Sequence, residues 1–331
     1  MTDRWRGLLE HARWAPSPHN GQQWMLQAWS DDSAWLLCDP ARLVPAIDPT
    51  GAFAMVGLGA FVETLAVVAR AEGQELEVSN ISAPPTADER APAPVAELRL
   101  RLGGSDRLPV DLVHRRRTSR LPYDGRPVEG PIVERLERAC ATFGHRIEVS
   151  SDPELVAWLL GLDATYLLRD LRLRPAREEL AHWLRYSNRS AAATGDGFSP
   201  AAMDVPGWML RVLVHAGPLF GLPPVAALVR KLHDESVGGT ATAAWLAGPF
   251  QTPEDWIAAG RALCRTWLEL TAEGIYLQPL GSIIDEDLVH HRLNPHGDGS
   301  VWIVVRMGSG REPARSHRLP VDRLLVPAEG E

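Results

Sequence analysis

The chain has 331 residues, 45% of them hydrophobic and 23% charged, and a net charge of −8 at pH 7. That size suits one large domain or two moderate ones with a substantial buried interior. Basic residues are scattered singly or in pairs except at "HRRRTSR" (114–120), which excludes the footprint of a nucleic-acid binder and leaves room for a small anion. Cys38, Cys140 and Cys264 are odd in number and far apart, which argues against a disulfide framework or a zinc site. The N-terminal "MTDRWRGLLEHARW" is charged and has no apolar run of signal-peptide length, so the expected setting is cytoplasmic.

In chain order, the first unusual stretch is "APSPHNGQQW" (15–24), directly after the helix-like "LLEHARW". Ser17, Asn20, Gln22 and Gln23 can donate and accept hydrogen bonds, and Pro16 and Pro18 stiffen the backbone that carries them. Such groups match a heterocycle edged with carbonyls and ring nitrogens. A helix cap and turn with Trp24 in the core would account for Ser17 and Trp24, though not for the density of amides. "GLGAFV" (57–62) lacks the third glycine of a dinucleotide fingerprint and reads as a helix start.

"GAFVETLAVVARAEG" (59–73) and "GRALCRTWLELTAEG" (260–274) share glycine at both ends, helical apolar spacing and a terminal Ala-Glu-Gly suited to a left-handed cap. Each precedes a strand-like run ending in glycine, "VAELRLRLGG" (95–104) and "VWIVVRMGSG" (301–310), so the ordered pair points to an internal duplication. "ISAPPTADERAPAP" (81–94) is a surface loop, and the organisational boundary falls near 105–112. If the copies pack about a pseudo-two-fold axis, two sites form at their interface, one complete and one degenerate.

In "RRRTSR", Arg115, Arg116, Arg117 and Arg120 with Thr118 and Ser119 offer the forked donors and hydroxyls that hold a phosphate dianion; a solvated basic turn is the alternative. Arg318 in "SHRLP" could clamp the same phosphate. Helices are expected at 130–143, 153–170, 175–187, 207–219 and 223–234, with a strand at 145–150. The mixture is α+β. The apolar stretch 206–229 is about as long as a membrane span, but Arg211, His215 and four prolines make it a pair of buried helices broken at "GLPP". "EGIYLQPLGSII" (273–284) is extended and punctuated by glycine, so its backbone amides could approach a flat ligand. His290 and His291 are adjacent and lack suitably spaced partners, and no metal site is expected.

Together these parts resemble the FMN-dependent nitroreductase superfamily, and within it the tandem-duplicated, Acg-like branch. The resemblance rests on Pro16-Ser17-Pro18-His19-Asn20-Gly21-Gln22-Gln23-Trp24, which is similar to the family's isoalloxazine-contacting stretch, and on Arg116-Arg117-Thr118-Ser119-Arg120 and Arg318-Leu319-Pro320, similar to its ribityl-phosphate stretches. "DPTGAF" (48–53) and "AEGIYLQPLG" also look like the family. The likeness covers most of 8–78, 114–128 and 240–325 and is weakest over 150–235. It implies a nitroreductase-like fold, duplicated as a pseudo-dimer in one chain, with a central mixed or antiparallel sheet flanked by helices. Residues 1–110 would form a degenerate half supplying the ring-contacting loop; 111–331 would form the half with the phosphate motifs and a lid over 188–234.

The implied cofactor is FMN, bound by Pro16, Ser17, Asn20, Gln22, Arg116, Arg117, Thr118, Ser119, Arg120, Pro279, Leu280, Gly281 and Arg318. No side chain is expected to be catalytic, because the flavin carries the chemistry. Hydride would pass through N5 to or from a small substrate, with NAD(P)H as a partner. Neither nucleic acid nor a membrane is an expected partner, and a monomer would suffice because one chain supplies both sides of the site. Two departures stand out. Gln23 replaces the family's proline before Trp24, and "LP" intervenes before Tyr123, so either Arg116 with Thr118 or Arg117 with Ser119 takes the main role. The alternatives are a flavin-storing protein of the Acg-like kind with little NAD(P)H-dependent activity, and a pathway-specific biosynthetic flavin oxidase or dehydrogenase.

Overall fold

The computed structural model describes residues 2–326 apart from 285, 295, 296 and 298. The duplication is visible as one strand–helix pattern laid down twice. In the first copy, β1 (Trp24–Ala28) and β2 (Ser33–Cys38) precede the long helix α2 (Ala52–Ala71), followed by β3 (Gln74–Ser79) and β4 (Ala93–Leu102); α1 (Thr2–Ala12) leads in. The second copy follows α3 (Asp111–Arg115) and α4 (Gly130–Ala141). It repeats the pattern as β5 (Arg146–Ser150), β6 (Thr242–Gly248), α11 (Pro253–Ala272), β7 (Tyr276–Pro279) and β8 (Ser300–Gly308). The first sheet runs β3-β4-β2-β1 and the second β7-β8-β6-β5, every neighbour antiparallel. Even the irregularities match, for β2 shifts register against β4 at Leu36/Leu37 and β6 against β8 at Leu246/Ala247. The expected sheet is thus present once per copy. A short β9 (Leu325–Val326) from the C-terminal end joins the first sheet, parallel to β1.

Between β5 and β6 lies a helical insertion: α5 (Pro153–Arg172), α6 (Arg174–Trp183), α7 (Asn188–Thr194), α8 (Pro200–Met203), α9 (Gly207–His215) and α10 (Pro223–Ser236); α12 (Asp287–Leu293) follows β7. The stretch 206–229 does break near "GLPP", at a 3₁₀ turn over Gly217–Gly221. It is not fully buried, however: Leu210, Val214 and Phe220 face inward, while Trp208, Val212, Leu219, Leu222 and Leu228 are exposed.

Helix α2 is apolar on nearly every face and long enough to cross a membrane, but 94% of its apolar window lies inside the fold, between α1, α11 and the first sheet. Helix α11 begins with a capping box, Thr252 and Asp255, and Pro253. Both long helices end at a left-handed glycine, Gly73 and Gly274, each with φ +71°. Gly59 and Gly260 are not the helix starts expected from sequence: each lies seven residues inside, where the two helices cross. A Cβ on Gly59 would sit 2.2 Å from the Ile257 carbonyl oxygen, and one on Gly260 would sit 2.0 Å from that of Val56. The contact is reciprocal because Val56 and Ile257 each precede their glycine by three residues, as an isologous interface requires.

Beside the crossing, the fully buried Glu63 accepts from Arg261 (3.0 Å) and lies 3.5 Å from Arg70 and Arg265. Asp106 pairs with Arg265 and Arg70, extending the network across both copies. Burial raises the Glu63 carboxyl, opposed by the three guanidinium groups. All three cysteines are buried free thiols.

Replacing Gly260 or Gly59 with Ala should destabilise the chain by about 2–4 kcal/mol, since each methyl meets backbone that cannot rotate away. Gly161→Ala, in α5 with open space around its Cβ, should instead gain roughly 0.5–1 kcal/mol. Urea unfolding of the three variants checks both signs.

Candidate functional site

The proline-rich loop after α1 is a strained turn. His19, Asn20 and Gln22 all adopt positive φ (49°, 56° and 55°). Asparagine tolerates this region; for histidine and glutamine it costs on the order of 1–3 kcal/mol each and persists only where surrounding contacts impose it. Those contacts are present. Ser17 Oγ accepts from the Gln22 amide (3.0 Å). Asn20 Nδ2 donates to the carbonyls of Gly197 and His317, both at 3.1 Å, and its Oδ1 accepts from Arg318 (2.7 Å). Gln22 Nε2 donates to Asn20 O (3.1 Å) and Gly195 O (3.0 Å), and its Oε1 accepts from the Leu319 amide (2.9 Å). Gln23 serves the core instead, donating to Ala54 O at 2.6 Å and lying against Gly57 of α2. Trp24 stacks on Phe61 at 5.0 Å. Pro16 stands partly buried ahead of this turn.

Arginines from the second copy converge on the same loop. The Trp14 carbonyl accepts from both Arg116 (3.0 Å) and Arg318 (3.3 Å), and Arg318 also donates to Ala15 O. Arg116 is 7% exposed and lies over the Trp267 ring. Arg120 stacks on Phe198 at 5.0 Å, and Phe198 meets the His19 ring edge-on. Among the described residues none of Arg116, Arg120 and Arg318 has a carboxylate within ion-pair distance. Arg116 Nη1, Arg117 Nε and Arg318 Nε are shielded without any hydrogen-bond partner. Burial lowers Arg116 and Arg120 to about 10 each. Arg318 is held well below its usual value, by burial first and then by its neighbours Arg116, Arg315 and Arg13.

Arg117 turns away, pairing with Glu312 (2.6 Å) and donating to Pro313 O. A cavity of about 350 Å³ opens here, lined by Arg117, Arg120, Ala202, Arg311 and Pro313 among others. Thr118 bridges to Leu277 of β7, and the Ser119 amide donates to Leu277 O (3.2 Å). The wholly buried Arg306 sets this stretch by donating to the carbonyls of Ser119 (3.2 Å) and Leu121 (3.1 Å) and to Gln278 (2.8 Å).

Pro279 ends β7 opposite Val305. The Leu280 amide, expected to face a flat ligand, donates to Val304 O at 2.9 Å in the sheet, and Gly281 opens an exposed turn. Among the described residues no hydrogen bond joins 279–281 to the proline-rich loop. Sequence reading missed Trp14, His19, Arg306 and the segment 195–198, which seats its carbonyls on Asn20 and Gln22. Asp196 fixes that segment between Arg42 (3.2 Å) and Arg185 (2.6 Å). The alternation of glycine and aspartate in "TGDGF" was the one available signal.

A cluster of shielded guanidinium nitrogens without carboxylates is costly by itself and is suited to a bound dianion. The amides of Asn20 and Gln22, by contrast, are spent on the protein's own backbone. His19 is held at about 4, chiefly by burial and then by the charge on Arg120. Its neutral ring must gain a proton on unfolding, so the unfolded chain binds more protons between pH about 4 and 6.5. Stability from this residue should therefore fall by up to about 3 kcal/mol as pH drops through that window. Denaturant titrations of wild type and His19→Gln should diverge there and run parallel above pH about 7.5.

No family model matches the chain. In two strains of Mycobacterium tuberculosis, CDC 1551 / Oshkosh and ATCC 25618 / H37Rv, the protein described as "Putative NAD(P)H nitroreductase acg" is 32% identical over 185 residues. That alignment takes in 52% of this chain and 50% of the relative, so the chain spans about half the length of the curated relatives it matches. Among solved structures, the FMN and NADPH-dependent nitroreductase NfnB of sphigopyxis sp. strain HMH overlaps 65% of this chain and 96% of its own, at 14% identity and a TM-score of 0.38. The FMN-dependent NfnB of Mycobacterium smegmatis, in complex with NADPH, overlaps 62% and 92%, at 15% identity and a TM-score of 0.35. Over about half its length, then, this chain is similar in sequence to the protein described as "Putative NAD(P)H nitroreductase acg".

Proposed function

We propose that the chain is an FMN-dependent oxidoreductase of the nitroreductase type, cytoplasmic, holding one cofactor where its two copies meet. The observation that carries this reading is the pair of shielded nitrogens on Arg116 and Arg318, which lack carboxylate partners among the described residues and converge on the Trp14 and Ala15 carbonyls beside the strained loop. Arg116, Arg120 and Arg318 would bind the phosphate. Because Arg117 is engaged by Glu312, the geometry favours the register in which Arg116 and Thr118 take the main role.

Residues 1–110 would contribute the ring-contacting loop with Pro16, Ser17, Asn20 and Gln22; residues 111–331 would contribute the phosphate stretch and Pro279, Leu280, Gly281 and Arg318. When bound, FMN supplies hydride transfer through N5 between NAD(P)H and a small substrate. The chain's own side chains position it. Left-handed backbone at residues 19, 20 and 22 directs Asn20 and Gln22, Arg306 fixes the carbonyls flanking Arg120, and the carbonyls of Gly195 and Gly197 hold the two amides in place. One chain carries both sides, so a monomer suffices.

The seating of Gly195 and Gly197 on Gln22 and Asn20 favours a second reading. A segment pinned there would keep nicotinamide off the ring, as in a flavin-storing protein with little NAD(P)H-dependent activity.

Adding FMN to the purified chain should give bound absorption bands in the blue and near-ultraviolet and raise the melting temperature. The double variant Arg116→Ala/Arg318→Ala should stay folded and lose about 3 kcal/mol of FMN affinity, roughly a hundredfold or more in Kd. Undiminished stoichiometric FMN in that variant would remove the phosphate assignment. Anaerobic addition of NADH or NADPH separates the two readings: bleaching within seconds supports the oxidoreductase, and bound but unresponsive flavin supports storage.

A further inference from the structure

We infer that the outer faces of α9 and α10 form a docking surface for a bilayer rich in anionic phospholipid. On α9, Trp208, Arg211, Val212 and His215 fall at i, i+3, i+4 and i+7 and all are exposed, with Trp208 67% and Val212 53% accessible. The opposite face is seated, since Leu210 and Val214 are buried among Leu180, Tyr186 and Met203. On α10, Leu228 (57% accessible), Lys231 and Leu232 are exposed, whereas His233 is buried against Asp163 at 3.0 Å. Leu219 and Leu222, also exposed, bridge the two helices. Large apolar side chains exposed at helical spacing on two successive helices suit a binding face.

Charge indicates what covers it. Between Asp204 and Asp234 the sequence has no acidic residue, while Arg211, Arg230 and Lys231 are basic, in a chain whose net charge is −8. Glu235, at the end of this face of α10, is already paired with Lys231 at 3.8 Å, so a second copy packed two-fold here would set Arg211 and Arg230 against basic counterparts. An anionic headgroup layer complements them. Tryptophan and leucine flanked by arginine and lysine on a helix lying flat is the interfacial pattern. An open groove of about 700 Å³ between α5 and α10 adds a second observation. Its walls include Leu168, Leu173 and Ala226, with Arg172 and Arg230 among the lining. Arg172 donates only to the Phe220 carbonyl and Arg230 to Thr165 Oγ1, and among the described residues neither has a carboxylate partner. A phosphodiester headgroup fits these two guanidinium groups, and the exposed leucines would lie toward the acyl chains.

Vesicle flotation of the full chain tests this without reference to flavin. Vesicles of phosphatidylcholine with about one third phosphatidylglycerol should carry the chain up the gradient, and phosphatidylcholine alone should not. Partitioning should fall about tenfold or more in roughly 0.5 M salt. Trp208→Ser/Leu228→Ser and Arg230→Glu/Lys231→Glu alter exposed side chains, so melting temperatures should stay near wild type. Each pair should lower partitioning about tenfold or more. The inference falls if the wild type floats with neither vesicle or equally with both, or if the folded variants float as well as wild type. It also falls if light scattering finds a dimer that Trp208→Ser/Leu228→Ser converts to a monomer with no vesicle binding in either form.

Discussion

The arrangement depends on one close approach. At Gly59 and Gly260 the backbones of α2 and α11 come so near that neither position has room for a methyl group. That distance fixes how the two sheets stand to each other. Around the crossing, Val56 and Ala60 of α2 face Ile257 and Gly260 of α11 in a pattern that nearly exchanges under a half-turn. The proline-rich loop, ahead of β1 in the first copy, is thereby brought beside Arg116 and Arg318 of the second.

At that meeting place the energetics are unfavourable by design of the chain's own geometry. Guanidinium groups share carbonyls of residues 14 and 15 with no carboxylate to balance them, and the adjoining turn stacks three left-handed non-glycine residues into four positions. Both features cost stability and both are held by contacts from afar: Gly195, Gly197, His317 and Leu319 all bond to Asn20 or Gln22. The C-terminal stretch acts as a strap, since it supplies Arg318 and Leu319 and then pairs as β9 alongside β1.

Much of this was legible in the sequence. The shared Ala-Glu-Gly endings and the strands that follow them disclosed the duplication, because local capping and periodicity are written in neighbouring residues. Gly59 and Gly260 were misread as helix starts for the converse reason: a glycine kept for a close approach looks like any other until its partner, 201 positions away (260 − 59), is in place. The amides of the proline-rich loop were correctly singled out, yet their partners at 195–197 and 317–319 could not be read, since nothing local links them. Leu280 shows the same limit. Its amide is committed to Val304, a pairing that depends on sheet register rather than on the "QPLGS" string. The insertion carrying α9 and α10 was read as buried from its hydrophobicity, whereas burial depends on how many faces the rest of the fold can cover.

The ion network around Glu63 carries a consequence of its own. Counting from the paired glycines, Glu63 occupies the place of Cys264, and Arg261 and Arg265 occupy the places of Ala60 and Thr64. In an assembly of separate identical chains, a residue beside the axis meets its own twin, and a carboxylate would confront a carboxylate. Within one polypeptide the two copies can differ at matching places, so Glu63 of α2 meets Arg261 and Arg265 of α11 with no reciprocal carboxylate at Cys264.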